Sequence, residues 1–377
     1  MQKKQLVWVD TPIQLNQLLE TLLTEPVVAV DTESDSLYSY FEKVCLIQFS
    51  TPKTDYLVDP LNMDVSNLAT LFANPQIQKV FHAVEYDLLC LKRDYGFIFH
   101  NLFDTMIAAR ILGWSSYGLG PILEKYFKVK LDKRFQRYNW GKRPLDQNAM
   151  DYAHLDTHYL LALREIQLNE LQKQNRLREA QDVFKRAILA EPTPKSFNPD
   201  DFWRIKGVRD LSPQQQAVLR ELFILRDKIS RKVNRPPFKV MQNIFLVKLA
   251  EEQPQRPEDL RNFGNLGKSQ IQHNIPEILK AIQVGQKAPL PNYPHHNHRL
   301  DEDTSMRYES LRQWRNDLAM QRGVEPDVII NNHGLMNIAQ QNPQTIKILA
   351  ETGILSEWQV KNYGEMVLDV LVADFKE

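Results

Sequence analysis

The chain has 377 residues, 47 basic and 47 acidic side chains, and 43% hydrophobic content. That composition supports ordinary globular cores in two or three domains, and no stretch approaches the ~18 apolar residues that would cross a membrane. The opening MQKKQLVWVD has no long apolar segment ahead of a small-residue cleavage site, so the expectation is a cytoplasmic protein.

Candidate strands come first: LVWV (6–9), VVAVD (27–31), VCLIQFS (44–50), DYLVD (55–59) and KVFHA (79–83), each rich in β-branched or aromatic residues. Thr11 followed by Pro12 predicts a helix start, and 65–73, 85–94, 104–112, 118–127 and 146–170 carry helical apolar spacing. Residues 1–190 therefore read as one α/β domain. Cys45 and Cys90 fall in a predicted strand and a predicted helix with no metal-like spacing, so reduced, buried thiols are expected. The proline-rich, polar stretch EPTPKSFNPDD opens a linker, 191–210, after which strand signals fade.

The remainder contains a repeat. An offset of 89 residues, without gaps, pairs Leu222 with Leu311, Arg226 with Arg315, Pro237 with Pro326, Asn243 with Asn332, Leu246 with Leu335 and Leu279 with Leu368. Two similar helical domains, 211–288 and 303–377, are expected, joined by a linker over 289–302. The HHNH run at 295–298 has no carboxylate or cysteine beside it and reads as loop in preference to a metal site. The copies differ in charge: 211–288 holds 13 Lys and Arg against 7 Asp and Glu, whereas 303–377 holds 7 against 11. Zero net charge argues against a nucleic-acid partner, but this uneven distribution argues for one.

In the first domain, VVAVDTESDS ends in Asp31 and Glu33. Residues i and i+2 of a strand share a face, so the two carboxylates sit side by side; without a cation between them, one tends to hold its proton. Alone, the pattern is more often that of a strand entering a polar turn. Asp87, in FHAVEYDLLCL, lies on a predicted helix, and Asp156, in DYAHLDTHYLL, follows Tyr152 by four positions, which puts both on one helix face. Each has an ordinary reading too, as a charge near a helix start or a core aromatic with a polar tip.

Taken together, DTE (31–33), HAVEYD (82–87) and YAHLD (152–156) resemble the three motifs of the DEDD family of 3′→5′ exonucleases. Some members carry a histidine five residues before the last aspartate; here that position is Asp151, and Tyr152 stands four before, as in the tyrosine subclass. VCLIQFS, NLFDTMIAARILG and WGKRPLDQNAMDYAHLDTHYLL look like the ribonuclease D branch of that family. Both repeats resemble the helicase and RNase D C-terminal (HRDC) domain through Arg226, Asp227, Pro237, Leu246, Leu249 and Ala250. The second copy departs most, with Asn316 in place of Asp227 and no basic surplus. Ser34 stands where many relatives have an aromatic.

The resemblance implies a ribonuclease-H-like α/β exonuclease domain followed by two all-α HRDC domains. It also implies that Asp31, Glu33, Asp87 and Asp156 bind two divalent ions, Mg²⁺ or Mn²⁺. Such ions favour oxygen ligands and, about 3.5–4 Å apart, would activate water and neutralise the departing 3′-oxygen. Tyr152, with an ordinary pKa near 10, is a poor general base and is expected to orient the water. Thr32 and His82 are expected substrate contacts, although a satisfied buried histidine is an equal reading of His82. Arg143 belongs to KVKLDKRFQRYNWGKRP (128–144), whose seven basic residues and three aromatics suit phosphate contact and base stacking, or simply an exposed charged loop. Arg231, Lys232 and Arg235 are expected phosphate contacts of the first HRDC copy. The implied activity is 3′-end trimming of structured RNA precursors, tRNA among them, by a monomer that releases nucleoside 5′-monophosphates. A DNA exonuclease and a non-catalytic RNA-binding scaffold are the alternatives.

Overall fold

The computed structural model describes residues 4–193, 196–261, 273–293 and 301–373; the HHNH run lies outside them. The chain forms two compact units, one of residues 1–33, 44–192 and 298–377, the other of 34–43 and 193–297.

The first unit is built on a six-stranded sheet in the order β1-β4-β3-β2-β5-β6. Its strands are β1 (Gln5–Val9), β2 (Val27–Ser34), β3 (Val44–Ser50), β4 (Thr54–Val58), β5 (Gln78–Phe81) and β6 (Leu102–Asp104). β1 pairs parallel with β4, β5 parallel with β2 and β6, and β3 antiparallel with β4. β3 is buried at every position, which explains its apolar run Val44–Ile47 and leaves Gln48 and Ser50 buried as well. β6 escapes the sequence reading because three residues carry no period.

Helices α1 (Pro12–Thr24), α2 (Ala69–Phe72), α3 (Glu85–Tyr95), α4 (Thr105–Ile111) and α5 (Leu119–Phe127) flank the sheet in chain order. Thr11 and Gln14 close a capping box ahead of Pro12, the predicted start of α1. The single helix expected over 146–170 is instead three: α6 (Gln147–Ala153), α7 (Leu155–His158) and α8 (Leu160–Lys173). Apolar spacing runs through the breaks because their backbone stays near-helical, with φ −66° at His154 and −99° at Tyr159. α9 (Leu177–Ile188), unread in the sequence, buries Ala180 and Phe184 in the same core. Cys45 and Cys90 are buried and form no disulfide.

In the second unit, α10 (Pro213–Lys232), α11 (Pro237–Val240), α12 (Asn243–Glu252), α13 (Pro257–Arg261) and α14 (Ile275–Lys287) enclose Leu219, Leu222, Leu246, Leu249, Ile278 and Ile282. The expected linker 191–210 is ordered in its second part. Phe202, Ile205 and Val208 recur every third residue and are buried in that core.

The second repeat, within the first unit, comprises α15 (Glu302–Arg322), α16 (Pro326–Ile329), α17 (Asn332–Gln341), α18 (Ile346–Glu351) and α19 (Glu357–Ala373). The 89-residue offset holds in atomic detail. Arg226 donates to Met241 O at 3.0 Å and Asn243 Oδ1 at 2.7 Å; Arg315 donates to Ile330 O at 3.0 Å and Asn332 Oδ1 at 2.8 Å. The second repeat packs on the exonuclease domain through Arg322 to Glu179 at 2.6 Å and Arg110 to Asp327 at 2.5 Å. Gly113 and Gly323, both left-handed, approach so closely there that a Cβ on Gly113 would meet the Gly323 carbonyl oxygen at 2.1 Å.

Candidate metal centre

Asp31 and Glu33 occupy the end of β2, and Thr32 between them donates its hydroxyl to Asp87 in the first turn of α3. α3 is aimed by the strand beside it. The Asp104 carboxylate, at the end of β6, accepts from the backbone N–H groups of Ala83 at 3.2 Å and Val84 at 2.7 Å, and also caps α4. That holds Ala83 in the left-handed region, φ 63°, a conformation that costs a non-glycine residue about 1 kcal/mol. Asp156 comes from α7, where it is buried, and carboxylate oxygens of Asp31, Glu33 and Asp156 lie within 4.8 Å of one another.

All four carboxyls are pushed above their usual range. For Asp31 and Glu33 burial is the main cause, followed by the charges of Asp87 and Asp156. Burial raises Asp87 to about 7 against the opposing hydrogen bonds from Thr32, and burial plus Asp87 raises Asp156 to about 8. A divalent cation fits this donor set: the oxygens converge, and one another's charge and the loss of water are what hold them protonated.

Tyr152, on α6, is buried and stacks on Phe135 with ring centroids 5.4 Å apart. Burial first and Asp156 second push its hydroxyl far above the usual phenol range, so it stays protonated as a donor. The helix break at His154 leaves the Tyr152-to-Asp156 spacing in place on two consecutive helices.

The expected substrate contacts fare unequally. The Thr32 hydroxyl is committed to Asp87. His82 is held neutral by burial, with its pKa lowered to about 4, and its Nδ1 is 2.8 Å from the Thr105 hydroxyl. Because that hydroxyl donates to Phe81 O, it accepts from Nδ1–H, and a neutral imidazole makes a weak phosphate contact. Arg143 is corrected outright. Its guanidinium donates twice to Asp59 (2.6 and 2.7 Å) and to the carbonyls of Trp140, Lys142 and Cys45, which uses all five N–H donors. It ties the basic segment to the sheet and has no donor left for phosphate. Lys232 and Arg235 are exposed, whereas Arg231 is paired with Asp227 at 2.9 Å and with the Tyr40 hydroxyl.

A second cluster, whose two histidines flank Asp156 in sequence, was missed: Asp55, His154 and His158. Burial alone would raise the Asp55 carboxyl, but bonds from His154, His158 and Ser50 and the charge of Lys4 hold it well below the usual range. His158 Nδ1 lies 2.5 Å from Asp55, and Ser50 reaches both Asp55 and Thr157, so α7 is clamped to β4 around Asp156. The i, i+4 histidines of HLDTH were the available signal.

A family described as 3′-5′ exonuclease matches residues 6–172, and the HRDC domain matches 215–282 and 305–371. Ribonuclease D of Bartonella henselae is 30% identical over 329 residues, which is 85% of this chain and 80% of that protein. The exosome complex exonuclease RRP6 of Saccharomyces cerevisiae is 34% identical over 66% of this chain, but the chain spans only 36% of it. Among solved structures, the catalytic core of RRP6 from Trypanosoma brucei superposes with a TM-score of 0.70 at 29% identity, covering 75% of this chain and 80% of that one. Escherichia coli RNase D, at 24% identity and a TM-score of 0.69 over 99% of both chains, shares the fold. The chain belongs to the ribonuclease D family, with an α/β 3′-5′ exonuclease domain followed by two HRDC domains.

Proposed function

We propose that the protein removes nucleotides from the 3′ ends of structured RNA precursors, tRNA precursors among them, releasing nucleoside 5′-monophosphates. The convergence of Asp31, Glu33 and Asp156, with Asp87 tied to the same strand through Thr32, carries this reading. The four carboxylates would hold two divalent ions, Mg²⁺ or Mn²⁺, which supply an activated water and charge neutralisation at the departing 3′-oxygen. Tyr152, protonated and fixed by its stack on Phe135, donates a hydrogen bond that orients the water. Thr32 orients Asp87, and the Asp55 cluster steadies the helix bearing Asp156. Lys232 and Arg235 meet the RNA backbone from the first HRDC copy. The proposed domains are 1–190, 211–288 and 303–377, in a cytoplasmic monomer.

The test uses RNA and DNA of matched sequence, end-labelled, with free or blocked 3′ ends, in Mg²⁺ and in chelator. RNA with a free 3′ end should be shortened stepwise only with Mg²⁺. Equal digestion of DNA would favour the DNA exonuclease, binding without hydrolysis would leave a scaffold, and cleavage of blocked RNA would end the exonuclease reading.

A further inference from the structure

The segment 34–43 begins on the residue after Glu33 and belongs to the same compact unit as the first HRDC domain. It is a built loop. The buried Asp35 carboxylate accepts from the Ser39 hydroxyl at 2.5 Å and from Lys43 N at 2.8 Å, closing the loop on itself. Its aromatics are then pinned to the corner between α10 and α11. The Tyr40 hydroxyl donates to Asp227 at 2.6 Å and accepts from Arg231 at 2.9 Å; Asn234 Oδ1 accepts from Phe41 N at 3.0 Å; Lys239 Nζ sits 3.4 Å from the centre of the Tyr38 ring.

What faces water after these bonds form is an alternation of apolar faces and cations. Phe41 is 62% exposed and Phe238 51%, with exposed Lys232, Arg235 and Lys239 on the same corner. The second repeat is an internal control. At the 89-residue offset Arg231, Lys232, Arg235, Phe238 and Lys239 become Met320, Gln321, Val324, Asp327 and Val328. There part of the corner packs on the exonuclease domain, with Asp327 paired to Arg110 and Val328 partly buried against the sheet's core, while Met320 and Gln321 stay exposed. One scaffold thus carries a packing surface in one copy and exposed rings among cations in the other.

We propose that loop 34–43 and the α10–α11 corner form a platform for a single-stranded segment of the RNA substrate, an inference that rests on the exoribonuclease reading above. Bases stack on Phe41 and Phe238, and phosphates meet Lys232, Arg235 and Lys239, while Arg231 holds the loop in place. Charge complementarity selects RNA over a protein partner.

The test measures binding of a fluorescein-labelled 15-nucleotide oligouridylate across a salt series, in an Asp31→Asn background that should bind without cutting. Phe41→Ala with Phe238→Ala should weaken binding about 10-fold or more and leave the slope of log K against log salt alone. Lys232→Gln with Arg235→Gln should flatten that slope by about 1.4, at ~0.7 per single-strand phosphate. Phe41→Tyr with Phe238→Tyr should retain affinity, which separates a stacking role from a folding defect. Unchanged binding by the alanine pair would overturn the platform and leave those rings to a protein partner. Failure of the unaltered protein to shorten RNA in Mg²⁺ would instead sink the exoribonuclease reading, a separate result from the binding series.

Discussion

Asp31, Glu33, Asp87 and Asp156 all hold their protons more tightly in the folded chain than an ordinary carboxyl does, which fixes the sign of a pH effect. Between about pH 4, where unfolded carboxyls ionise, and the raised values of about 7 for Asp87 and about 8 for Asp156, the native state binds more protons than the unfolded one. Without metal, stability should therefore fall as pH rises through that window. A divalent cation removes the repulsion, so saturating Mg²⁺ should raise the melting temperature most at pH 8 and least at pH 5. Equal shifts at both pH values would show that the carboxylates do not share a cation. Asp31→Asn should cut hydrolysis roughly 10³-fold or more, as loss of a key electrostatic group does. Tyr152→Phe should lower it by about 10²-fold while leaving the Mg²⁺ titration in place; a displaced titration would make Tyr152 part of the metal site. The convergence of Asp31, Glu33 and Asp156 was legible because each lies in a short motif read locally in the sequence. Arg143 was not, since its partner Asp59 lies 84 residues away and nothing in a basic run says which cation is already spoken for.

At the scale of the element, the repeat was legible and the work of its residues was not. Arg226 and Arg315 align at the 89-residue offset and look like phosphate contacts in a list of cations. In the folded chain each is buried, 6% and 5% exposed, and donates to a backbone carbonyl and an asparagine in its own domain. A periodic pattern records that a position recurs, but burial decides whether its charge faces water. Removing such a side chain strands buried acceptors, so Arg226→Ala and Arg315→Ala should each destabilise by about 2–4 kcal/mol in denaturant unfolding. Neither should alter the salt slope of RNA binding at temperatures where the variants remain folded. A flatter slope for Arg226→Ala with unchanged stability would make it a phosphate contact. The helix over 146–170 teaches a related lesson, since the break at His154 keeps near-helical dihedrals and leaves no mark on the apolar spacing.

On the scale of the whole molecule, the acidic bias of the second repeat finds its use within the first unit, where α15 and α16 lie on the exonuclease domain. Arg110 answers Glu325 and Asp327, and Arg322 answers Glu179. The bias itself was readable from the sequence; its partners, more than a hundred residues away, were not. The Arg322–Glu179 pair is the most enclosed of these contacts, with side chains 17% and 3% exposed, and Arg322 also reaches the Tyr363 hydroxyl. Two desolvated charges repay their burial only while both are present. Arg322→Met should therefore cost about 3–5 kcal/mol by leaving Glu179 uncompensated, and Glu179→Met should cost a similar amount by stranding Arg322. The double variant, which replaces a charge pair by two apolar side chains, should recover most of that loss, giving a coupling energy of about 4 kcal/mol or more in a double-mutant cycle. Additive losses in urea unfolding would mean that the two charges act separately. In that case the repeat would be held by its apolar contacts and by the close approach of Gly113 to Gly323, which Gly113→Ala would disrupt with both charges intact.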